Sequence, residues 1–562
     1  MLQNHTVDGT GGAMADSTSG AGKRRSTPLT ASTPPTAAAP PPRPAPVGKR
    51  SLVLRIVGGV LVLLACLLSL KIGSQERGGP AHGDVYLNRG IPATLYLPQD
   101  AEDDGDLPSP PAKGEPRPPV IVMAHGYSAD RASMSGMARS LARAGYAVLS
   151  IDFRGHGSNT EAFKGELSGD IDTAVDWAQT SPFVDGERIA VLGHSMGAGA
   201  VLDFASLDSR PKAVVPVSGG FILHDSVVPA HTLLISAEGD PGRIKERQEE
   251  LGKELKAAGG QVTRKVVGGK DHITILASGE AIGDIATFLD PVMGIEREAG
   301  NTPGLEDPRY GTALLYLLVA FGLIAFVGSI AGRLVPAGAT TVAKAPTWSG
   351  FALVGGALLV TLPVLAVGGF DVLPIGAGQP IVMHLAFASA LLWGCRLLAK
   401  RGQLEGRVAD WVAEGEWLPF RQVWAVGVAA GVAIFVLLVP ISGIFHRLVP
   451  TPERAVYWVL VAALALPFFA AFEALLRRGR PGRAAGWGIL GRILLEAVLL
   501  IGLGIGALPS VIGLVIPLLI IQYVMLEIFA AGCYAKARNT AVIAVADAVV
   551  VGWLAVTLTP IG

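Results

Sequence analysis

The stretch "RIAVLGHSMGAGAVLDFA", residues 188–205, joins an apolar run, a serine between glycines and a run of small residues. The first run has the length and composition of a buried β-strand, and the last has the composition of a short helix. Gly193 and Gly197 flank the turn between the two runs. The stretch therefore predicts a strand, a tight turn that carries Ser195, and a helix.

The segments around this stretch, from about residue 80 to 295, repeat the same alternation of apolar β-branched runs and amphipathic runs. Strands this apolar, separated by helices, are typical of a parallel sheet covered on both faces. The order predicts an α/β domain that opens with a hairpin at "VYLNRGIPATLYLP" and closes with a helix at "ITILASGEAIGDIATFLD".

The chain as a whole is too apolar for a purely water-soluble protein. Of the 562 residues, 50% are hydrophobic, and the mean hydropathy is +0.46. Residues 51–72 form an apolar run of bilayer-spanning length, which predicts a membrane anchor. A cleaved signal peptide is the alternative, but the run is long and lacks a small-x-small cleavage pattern. Eight further segments of this length within residues 310–562 predict an all-α polytopic membrane domain.

Charge distribution predicts the orientation of these segments. Lysine plus arginine and aspartate plus glutamate both number 46, so overall charge does not favour a nucleic-acid partner. Residues 1–50 are basic, rich in Pro and Ala and without apolar periodicity, which predicts a disordered tail. Loops on the side of this tail carry twelve basic residues, whereas the opposite loops carry only Arg447 and Arg454. The positive-inside rule then predicts a cytoplasmic N-terminus and an extracytoplasmic α/β domain.

The turn at Ser195 has the pattern G-x-S-x-G, formed by Gly193, His194, Ser195, Met196 and Gly197. In a strand-turn-helix context this pattern indicates a nucleophile elbow, which lifts the serine hydroxyl out of the sheet. A structural serine in a glycine-rich turn is the alternative.

A serine hydroxyl needs a base and an acid to act as a nucleophile. His272 directly follows the last predicted strand and is the candidate base, and Asp240 follows the preceding strand and is the candidate acid. Glu238 and Asp271 are rivals for the acid. Asp271 is less suitable, because a neighbour in sequence would point away from the imidazole.

An oxyanion needs hydrogen-bond donors near the serine. The backbone N–H groups of Met196, at the start of the predicted helix, and of Tyr127, after the first long central strand, are the candidates. The Tyr127 ring itself is interpreted as a loop side chain against the pocket wall.

These residues give residues 80–295 a resemblance to the α/β-hydrolase family. "HGYS" at 125–128, "DFRGHGSN" at 152–159, "GHSMG", "GD" at 239–240 and "DH" at 271–272 are similar to the family's landmarks in order and spacing. The resemblance implies a serine esterase, lipase, thioesterase, amidase or acyltransferase that uses no metal or organic cofactor. It covers less than half of the chain, and residues 310–562 resemble no family that we recognise.

The segment between Ser218 and His231 is too short for the helical cap that covers many sites of this family. The site is therefore expected to be open, or to be covered by the lipid surface or by outer loops of the membrane domain. Because both ends of the α/β domain lead into apolar segments, the substrate is expected to be a lipid acyl ester or another membrane-associated molecule.

Charged residues inside the predicted spans form a second feature: Arg492, Glu496, Glu527 and Asp547. Such residues are costly in lipid and usually face a protein interior. They are interpreted either as a polar path for a headgroup or ion, or as a structural network in which Arg492 offsets the carboxylates. Glu473, four residues before Arg477, is interpreted as half of an interfacial pair.

The sequence is compatible with two classes of function. The first is a membrane-bound extracytoplasmic serine hydrolase, or an acyltransferase that uses the same three residues. The second is a transporter or assembly protein whose α/β domain only binds. The intact set of Ser195, Asp240 and His272 favours the first class, since a binding domain needs none of them.

Overall fold

A computed structural model describes residues 49–100, 107–220, 227–298, 300–338, 348–367, 373–414, 417–418 and 423–562. The predicted basic tail over residues 1–50 lies outside these ranges except for its last two residues. The predicted anchor is part of a longer helix, α1, over Lys49–Arg77.

Eight strands form one sheet in the order β1-β2-β4-β3-β5-β6-β7-β8. The strands are β1 Pro80–Tyr86, β2 Pro92–Asp100, β3 Pro119–Ala124, β4 Ala147–Ile151, β5 Asp185–His194, β6 Ala213–Val217, β7 His231–Ala237 and β8 Gln261–Val267. The pairs β1–β2 and β2–β4 are antiparallel, and every other neighbouring pair is parallel. This open, mostly parallel sheet confirms the predicted α/β-hydrolase fold.

Helices cover both faces of the sheet. They are α2 Ser135–Arg143, α3 Ser168–Thr180, α4 Met196–Leu207, α5 Gly242–Ala257 and α6 Gly279–Met293. The central strand β3 shows why two layers are needed: Val120 and Val122 pack into the core under α3 and α4, whereas Ile121 and Met123 pack into the core under α2 and α6. Alternate side chains of a strand point to opposite faces of the sheet, so a strand that is apolar throughout must have both of its faces covered.

The predicted last helix, "ITILASGEAIGDIATFLD", is only partly correct. The structure has a short 3-10 turn at Thr274–Ala277 and a separate helix α6 that begins at Gly279. Ser278 ends the turn and caps α6, because its hydroxyl accepts a hydrogen bond from the N–H of Ala281. The break keeps residues 271–273 outside the helix, in a loop.

Nine helices within the described ranges are long and apolar enough to cross a membrane, as predicted from α1 and the C-terminal segments. Beyond α1 and the α/β part, the helices are α7 Arg309–Leu334, α8 Trp348–Ala366, α9 Gly378–Lys400, the short α10 Arg407–Ala413, α11 Val423–Leu438, α12 Pro452–Leu476, α13 Pro481–Gly504, α14 Ile512–Ala537 and α15 Thr540–Thr557. The helices α7–α15 are called the bundle below.

The last helix lies at the centre of the bundle. Nearly all of α15 is buried, whereas α1 is almost wholly exposed. Small residues allow the close contacts around α15: a Cβ atom at Gly431 of α11 would lie 2.7 Å from the Val549 side chain, and one at Gly552 would lie 2.9 Å from the Ala462 nitrogen of α12. Close backbone approach through small residues is typical of helix contacts in membranes.

Candidate active site

The turn between β5 and α4 has the geometry of a nucleophile elbow. Ser195 has φ 54° and ψ −110°, a backbone conformation that residues other than glycine rarely adopt. A Cβ at Gly193 would lie 2.1 Å from the Gly197 carbonyl oxygen, and one at Gly197 would lie 2.5 Å from the Ala124 carbonyl oxygen. Gly193 is required because the turn folds back on its own backbone at Gly197, and Gly197 is required because the start of α4 lies directly on the end of β3.

The structure brings Ser195, His272 and Asp240 together in a hydrogen-bonded row. His272 Nε2 lies 3.0 Å from Ser195 Oγ, and His272 Nδ1 lies 2.7 Å from Asp240 Oδ1. The three residues follow β5, β8 and β7 at the same edge of the sheet. With Nδ1–H donating to the carboxylate, Nε2 is the acceptor for the serine hydroxyl proton.

Asp240 is held as a carboxylate by its surroundings. Its second oxygen, Oδ2, accepts hydrogen bonds from Ser218 Oγ and from the Ala237 N–H, each at 2.7 Å. Burial alone would raise the pKa of Asp240, but the hydrogen bonds from His272, Ser218 and Ala237 hold this pKa below its usual value.

The two rival acids have other partners. Asp271 Oδ1 accepts hydrogen bonds from the N–H groups of Ile273 and Thr274, both at 2.9 Å, so its carboxylate shapes the loop. Glu238 Oε2 accepts a hydrogen bond from the Gly269 N–H at 2.8 Å.

The two predicted oxyanion donors lie beside the serine. Met196 is the first residue of α4, where a helix N–H has no partner within the helix. Gly126 is so close that a Cβ there would lie 3.3 Å from Ser195 Cβ, which places the Gly126–Tyr127 segment against the elbow. The Tyr127 carbonyl accepts a hydrogen bond from His156 Nε2 at 2.6 Å, so this segment is tied to the loop after β4.

Two buried histidines support the loops beside Ser195; the sequence indicates a loop-shaping role for His125 with Gly126, but no such role for His194. His194 Nε2 lies 2.8 Å from the His272 carbonyl oxygen, and His125 Nδ1 lies 2.7 Å from the Gly126 carbonyl oxygen. Burial, with a second contribution from neighbouring His272 or His156, lowers the pKa of both His194 and His125 to about 3. Both imidazoles are therefore neutral and act as fixed donors to the two loops that flank Ser195.

The loops around the site rest on the bundle, which the sequence could not predict in detail. The Tyr127 hydroxyl accepts a hydrogen bond from the Ala377 N–H, just before α9, at 3.1 Å. Its ring packs against an apolar cluster, which is formed by those ends of α8, α9, α13 and α14 that lie next to Tyr127. The Gly155 carbonyl accepts hydrogen bonds from Arg454 Nη2 of α12 at 2.5 Å and from the Ile561 N–H at 2.8 Å. The Tyr127 side chain is thus a contact to the bundle, not only part of a pocket wall.

A further contact fixes the loop before α2 to the bundle. Asp130 Oδ2 accepts a hydrogen bond from the Arg447 N–H at 2.7 Å and lies 3.2 Å from His446 Nδ1. Asp130 Oδ1 accepts a hydrogen bond from the Ala132 N–H. One buried carboxylate therefore shapes the loop that follows β3 and attaches it to the segment between α11 and α12.

The predicted charged layer of the bundle is a separate cluster. Arg492 Nη2 lies 2.9 Å from Asp547 Oδ2, and Arg492 Nε lies 3.3 Å from Glu527 Oε2. Glu496, predicted with them, has no hydrogen-bond partner for either carboxylate oxygen among the described residues. The predicted pair of Glu473 and Arg477 forms, but both residues are buried and Arg477 also bonds Glu527, so the pair is part of this cluster. The spacing of residues within one helix does not show that Glu527 of α14 lies against Glu473 and Arg477.

No group of three or more His, Cys, Asp or Glu side chains in the described part of the chain could hold a metal ion. The polar groups at Ser195 instead form a row of acceptor, base and nucleophile. This row, on the elbow of a mostly parallel sheet, defines the class of the α/β part as a serine hydrolase domain.

Comparisons with known proteins agree with this class. A family model described as "Serine aminopeptidase, S33" matches residues 115–247, which include the elbow and Asp240 but end before His272. An uncharacterised 31.7 kDa protein of Escherichia coli is 28% identical over 138 residues, which are 24% of this chain and 43% of that protein. Cutinase est1 of Thermobifida alba is 30% identical over 172 residues, which are 30% of this chain and 51% of the cutinase. This part of the chain is an esterase-like serine hydrolase domain.

Among solved structures, an esterase of Pyrobaculum calidifontis is similar to 43% of this chain and to 94% of its own chain, with 18% identity and a TM-score of 0.31. The chain spans about half the length, or less, of the two curated relatives above.

The neutral buried histidines predict a loss of stability in acid. In the unfolded chain a histidine binds a proton near pH 6.5, whereas folded His125 and His194 do so only near pH 3. Between these values the unfolded state binds more protons, so the free energy of unfolding falls as pH falls, by about 1.4 kcal/mol per pH unit for each histidine. Thermal unfolding in detergent between pH 6.5 and 4.5 measures this loss.

The matched variants are His194→Asn and His231→Asn, because His231 is partly exposed at the start of β7. We expect a shallower pH dependence of Tm in His194→Asn and an unchanged one in His231→Asn. Equal pH dependence in all three proteins would contradict the assignment of a buried neutral imidazole at position 194.

Proposed function

We propose that the protein is a membrane-bound serine esterase that cleaves an acyl ester of a lipid or membrane-associated substrate. The observation that carries this proposal is the row from Asp240 through His272 to Ser195, with hydrogen bonds of 2.7 and 3.0 Å. The names of the relatives, which include cutinases, support an ester bond as the target.

The geometry supports a two-step acyl transfer. Ser195 Oγ attacks the substrate carbonyl carbon while His272 Nε2 takes the hydroxyl proton, and Asp240 stabilises the imidazolium. The N–H groups of Met196 and Tyr127 receive the developing oxyanion. As the intermediate collapses, His272 returns its proton to the leaving alcohol oxygen. A water molecule, deprotonated by His272, then hydrolyses the acyl-enzyme.

Contacts between the site and the bundle support a lipid substrate. The segment of residues 218–230 between β6 and β7 is too short for a large cap, although residues 221–226 lie outside the described ranges. The loops of Tyr127 and Gly155 instead contact Ala377, Arg454 and Ile561 at one end of the bundle. A site that opens beside apolar helix ends is suited to a substrate delivered from the bilayer surface.

The orientation proposed for this arrangement follows from charge. Basic residues concentrate in the loops at the end of the bundle away from the α/β part, such as Lys400, Arg401, Arg480 and Arg483. By the positive-inside rule that end is cytoplasmic, and the hydrolase domain is extracytoplasmic.

The second class of function, a transporter or assembly protein with a non-catalytic α/β domain, has one observation in its favour. The bundle contains a buried charge network that a simple anchor does not need. An acyltransferase would use the same three residues with an alcohol in place of water, so activity assays with and without an acceptor alcohol separate it from an esterase.

An activated serine is tested with a fluorophosphonate probe on the full chain in detergent. We expect labelling of the wild type and loss of labelling in Ser195→Ala and His272→Ala, because either change removes the nucleophile or its base. Hydrolysis of a p-nitrophenyl acyl ester should fall about 10⁴- to 10⁶-fold in both variants.

Ser209→Ala and His231→Ala are the matched controls, because Ser209 is exposed and His231 partly exposed on the α/β part. Both controls should keep label and activity. Folded wild type that takes no label would count against the esterase and favour a binding domain.

The contact between Tyr127 and α9 predicts that the bundle positions the oxyanion segment. Tyr127→Phe keeps the ring but loses the hydrogen bond from the Ala377 N–H. We expect kcat for the p-nitrophenyl ester to fall about tenfold with little change in KM, because a misplaced donor weakens transition-state binding more than substrate binding. The control is Tyr86→Phe, at a residue 73% exposed on β1. Equal kcat values in the two variants would show that this contact does not position the segment.

Orientation is tested by cysteine labelling in intact cells with a membrane-impermeant maleimide. Lys253→Cys places a thiol on the exposed side of α5, and Arg401→Cys places one after α9 at the opposite end of the bundle. We expect labelling at position 253 only, with both labelled after permeabilisation. The native cysteines lie within apolar helices, so the wild type is the background control. Labelling of position 401 alone would reverse the proposed orientation.

A further inference from the structure

The bundle contains a buried charge network that joins four helices, α12 to α15. Arg477 donates to both oxygens of Glu527 at 2.8 and 2.7 Å, and to Glu473 one turn earlier on its own helix. Arg492 donates to Asp547 at 2.9 Å and lies 3.3 Å from both Glu473 and Glu527. All five residues are buried, and none is more than 8% exposed.

The network leaves several buried polar atoms without a partner. Among the described residues these are Arg492 Nη1, Asp547 Oδ1 and both carboxylate oxygens of Glu496. Arg492 is 4% exposed and Asp547 is fully buried. Buried polar atoms are nearly always hydrogen-bonded, so these atoms mark a polar part of the bundle that its own side chains leave unsatisfied.

Glu496 and Arg492 contribute to one side of this group of unpaired polar atoms. They are four residues apart on α13 and therefore lie on the same face of the helix. Tyr523 of α14 lies within electrostatic range of Glu496, Arg492 and Asp547. The Arg492 guanidinium carbon is 5.8 Å from the centre of the Tyr523 ring and 5.7 Å from that of Phe472, so aromatic rings line the remaining sides.

The ionisable groups of this region do not balance. The charged and titratable side chains that the four helices contribute to the region are Glu473 and Arg477 from the end of α12, Arg492 and Glu496 from α13, Tyr523, Glu527, Cys533 and Tyr534 from α14, and Asp547 from α15. The two guanidinium groups contact three of the four carboxyl groups, and Glu496 pairs with neither, so two negative charges are uncompensated if every carboxyl group is ionised. An unpaired charge inside a membrane is costly, so protonation of a carboxyl group is favoured here.

We propose that Glu496 and Asp547 form a proton-binding site inside the bundle. A proton is the cation that a carboxyl group can accept without a coordination shell, and no set of three or more metal ligands occurs among the described residues. A proton on each of the two carboxyl groups neutralises the region and turns an unpaired oxygen into a hydrogen-bond donor. This site is independent of the esterase function and gives the bundle a role beyond anchoring.

The position of the site connects it to the rest of the molecule. Glu496 lies one turn from Leu499 and two turns from Leu503, which belong to the apolar cluster that packs against Tyr127. In the other direction, the network reaches Arg477 at the end of α12, away from the α/β part. A change of protonation at Glu496 therefore occurs between the hydrolase contact and the opposite end of the bundle.

The site is tested with N,N′-dicyclohexylcarbodiimide, an apolar reagent that adds to protonated carboxyl groups in membrane interiors. The carboxyl proton moves to a carbodiimide nitrogen, the carboxylate oxygen bonds to the central carbon, and rearrangement gives an N-acylurea with no leaving group. The full chain in detergent at pH 7 is treated, digested and analysed by mass spectrometry. We expect an adduct on Glu496 of the wild type, and none at this position in Glu496→Gln.

Glu246→Gln is the matched control, because Glu246 is exposed on α5 of the α/β part. It should leave the adduct on Glu496 unchanged. Size-exclusion chromatography and thermal unfolding in detergent show that each variant is folded, and neither measurement depends on esterase activity.

Infrared spectroscopy provides a second measurement that does not depend on access of the reagent. We expect the wild type at pH 7 to show the C=O band of a carboxylic acid, shifted in D₂O, and Glu496→Gln to lose part of this band. Asp547→Asn should lose another part. Either the adduct on Glu496 or the loss of the band in Glu496→Gln supports the site. Absence of both in folded protein would overturn it.

Discussion

The close crossing of β5, α4 and β3 at Ser195 is the constraint on which the functional part of the molecule depends. Gly197 lies against the Ala124 carbonyl, so the helix begins directly over the end of the central strand. The chain can make this turn only with Ser195 at positive φ, a strained conformation that the surrounding sheet must hold. The hydroxyl then projects beyond the sheet, where the loops after β3, β7 and β8 also end.

Parallel pairing turns this local constraint into a site. In a parallel sheet all strands deliver their following loops to one edge, so residues distant in sequence meet there. Asp240 after β7 and His272 after β8 reach Ser195 by this route, and Gly126 reaches it from β3. The buried neutral imidazoles of His194 and His125 then donate to the carbonyls of His272 and Gly126, which fixes the two loops that contact the serine.

The bundle contributes to the same edge of the sheet. Arg454 donates to the Gly155 carbonyl of the α/β part and to the Val556 and Thr559 carbonyls of the bundle. One buried guanidinium thus joins two structural parts through neutral acceptors, with no carboxylate bonded to it in the described part of the chain. Its several donors in one plane suit it to such a junction. The last residues of the chain add main-chain hydrogen bonds between Ile561 and the loop over Gly155 and Phe163.

Sequence alone determined the elbow, the order of strands and helices, and the existence of apolar helices of membrane length. These follow from local patterns: glycines at fixed spacing, period-two and helical apolar runs, and run length. Sequence also favoured Asp240 over Asp271, because the side chain of a residue next to His272 points away from its imidazole. Only the tertiary structure decided that Ser278 caps a separate last helix, that Glu473 and Arg477 join Glu527 inside the bundle, and that Tyr127 contacts α9. The Ser278 cap is local, but the other two contacts join residues 50 and 250 positions apart, and no periodicity within one segment specifies which distant segment will face it.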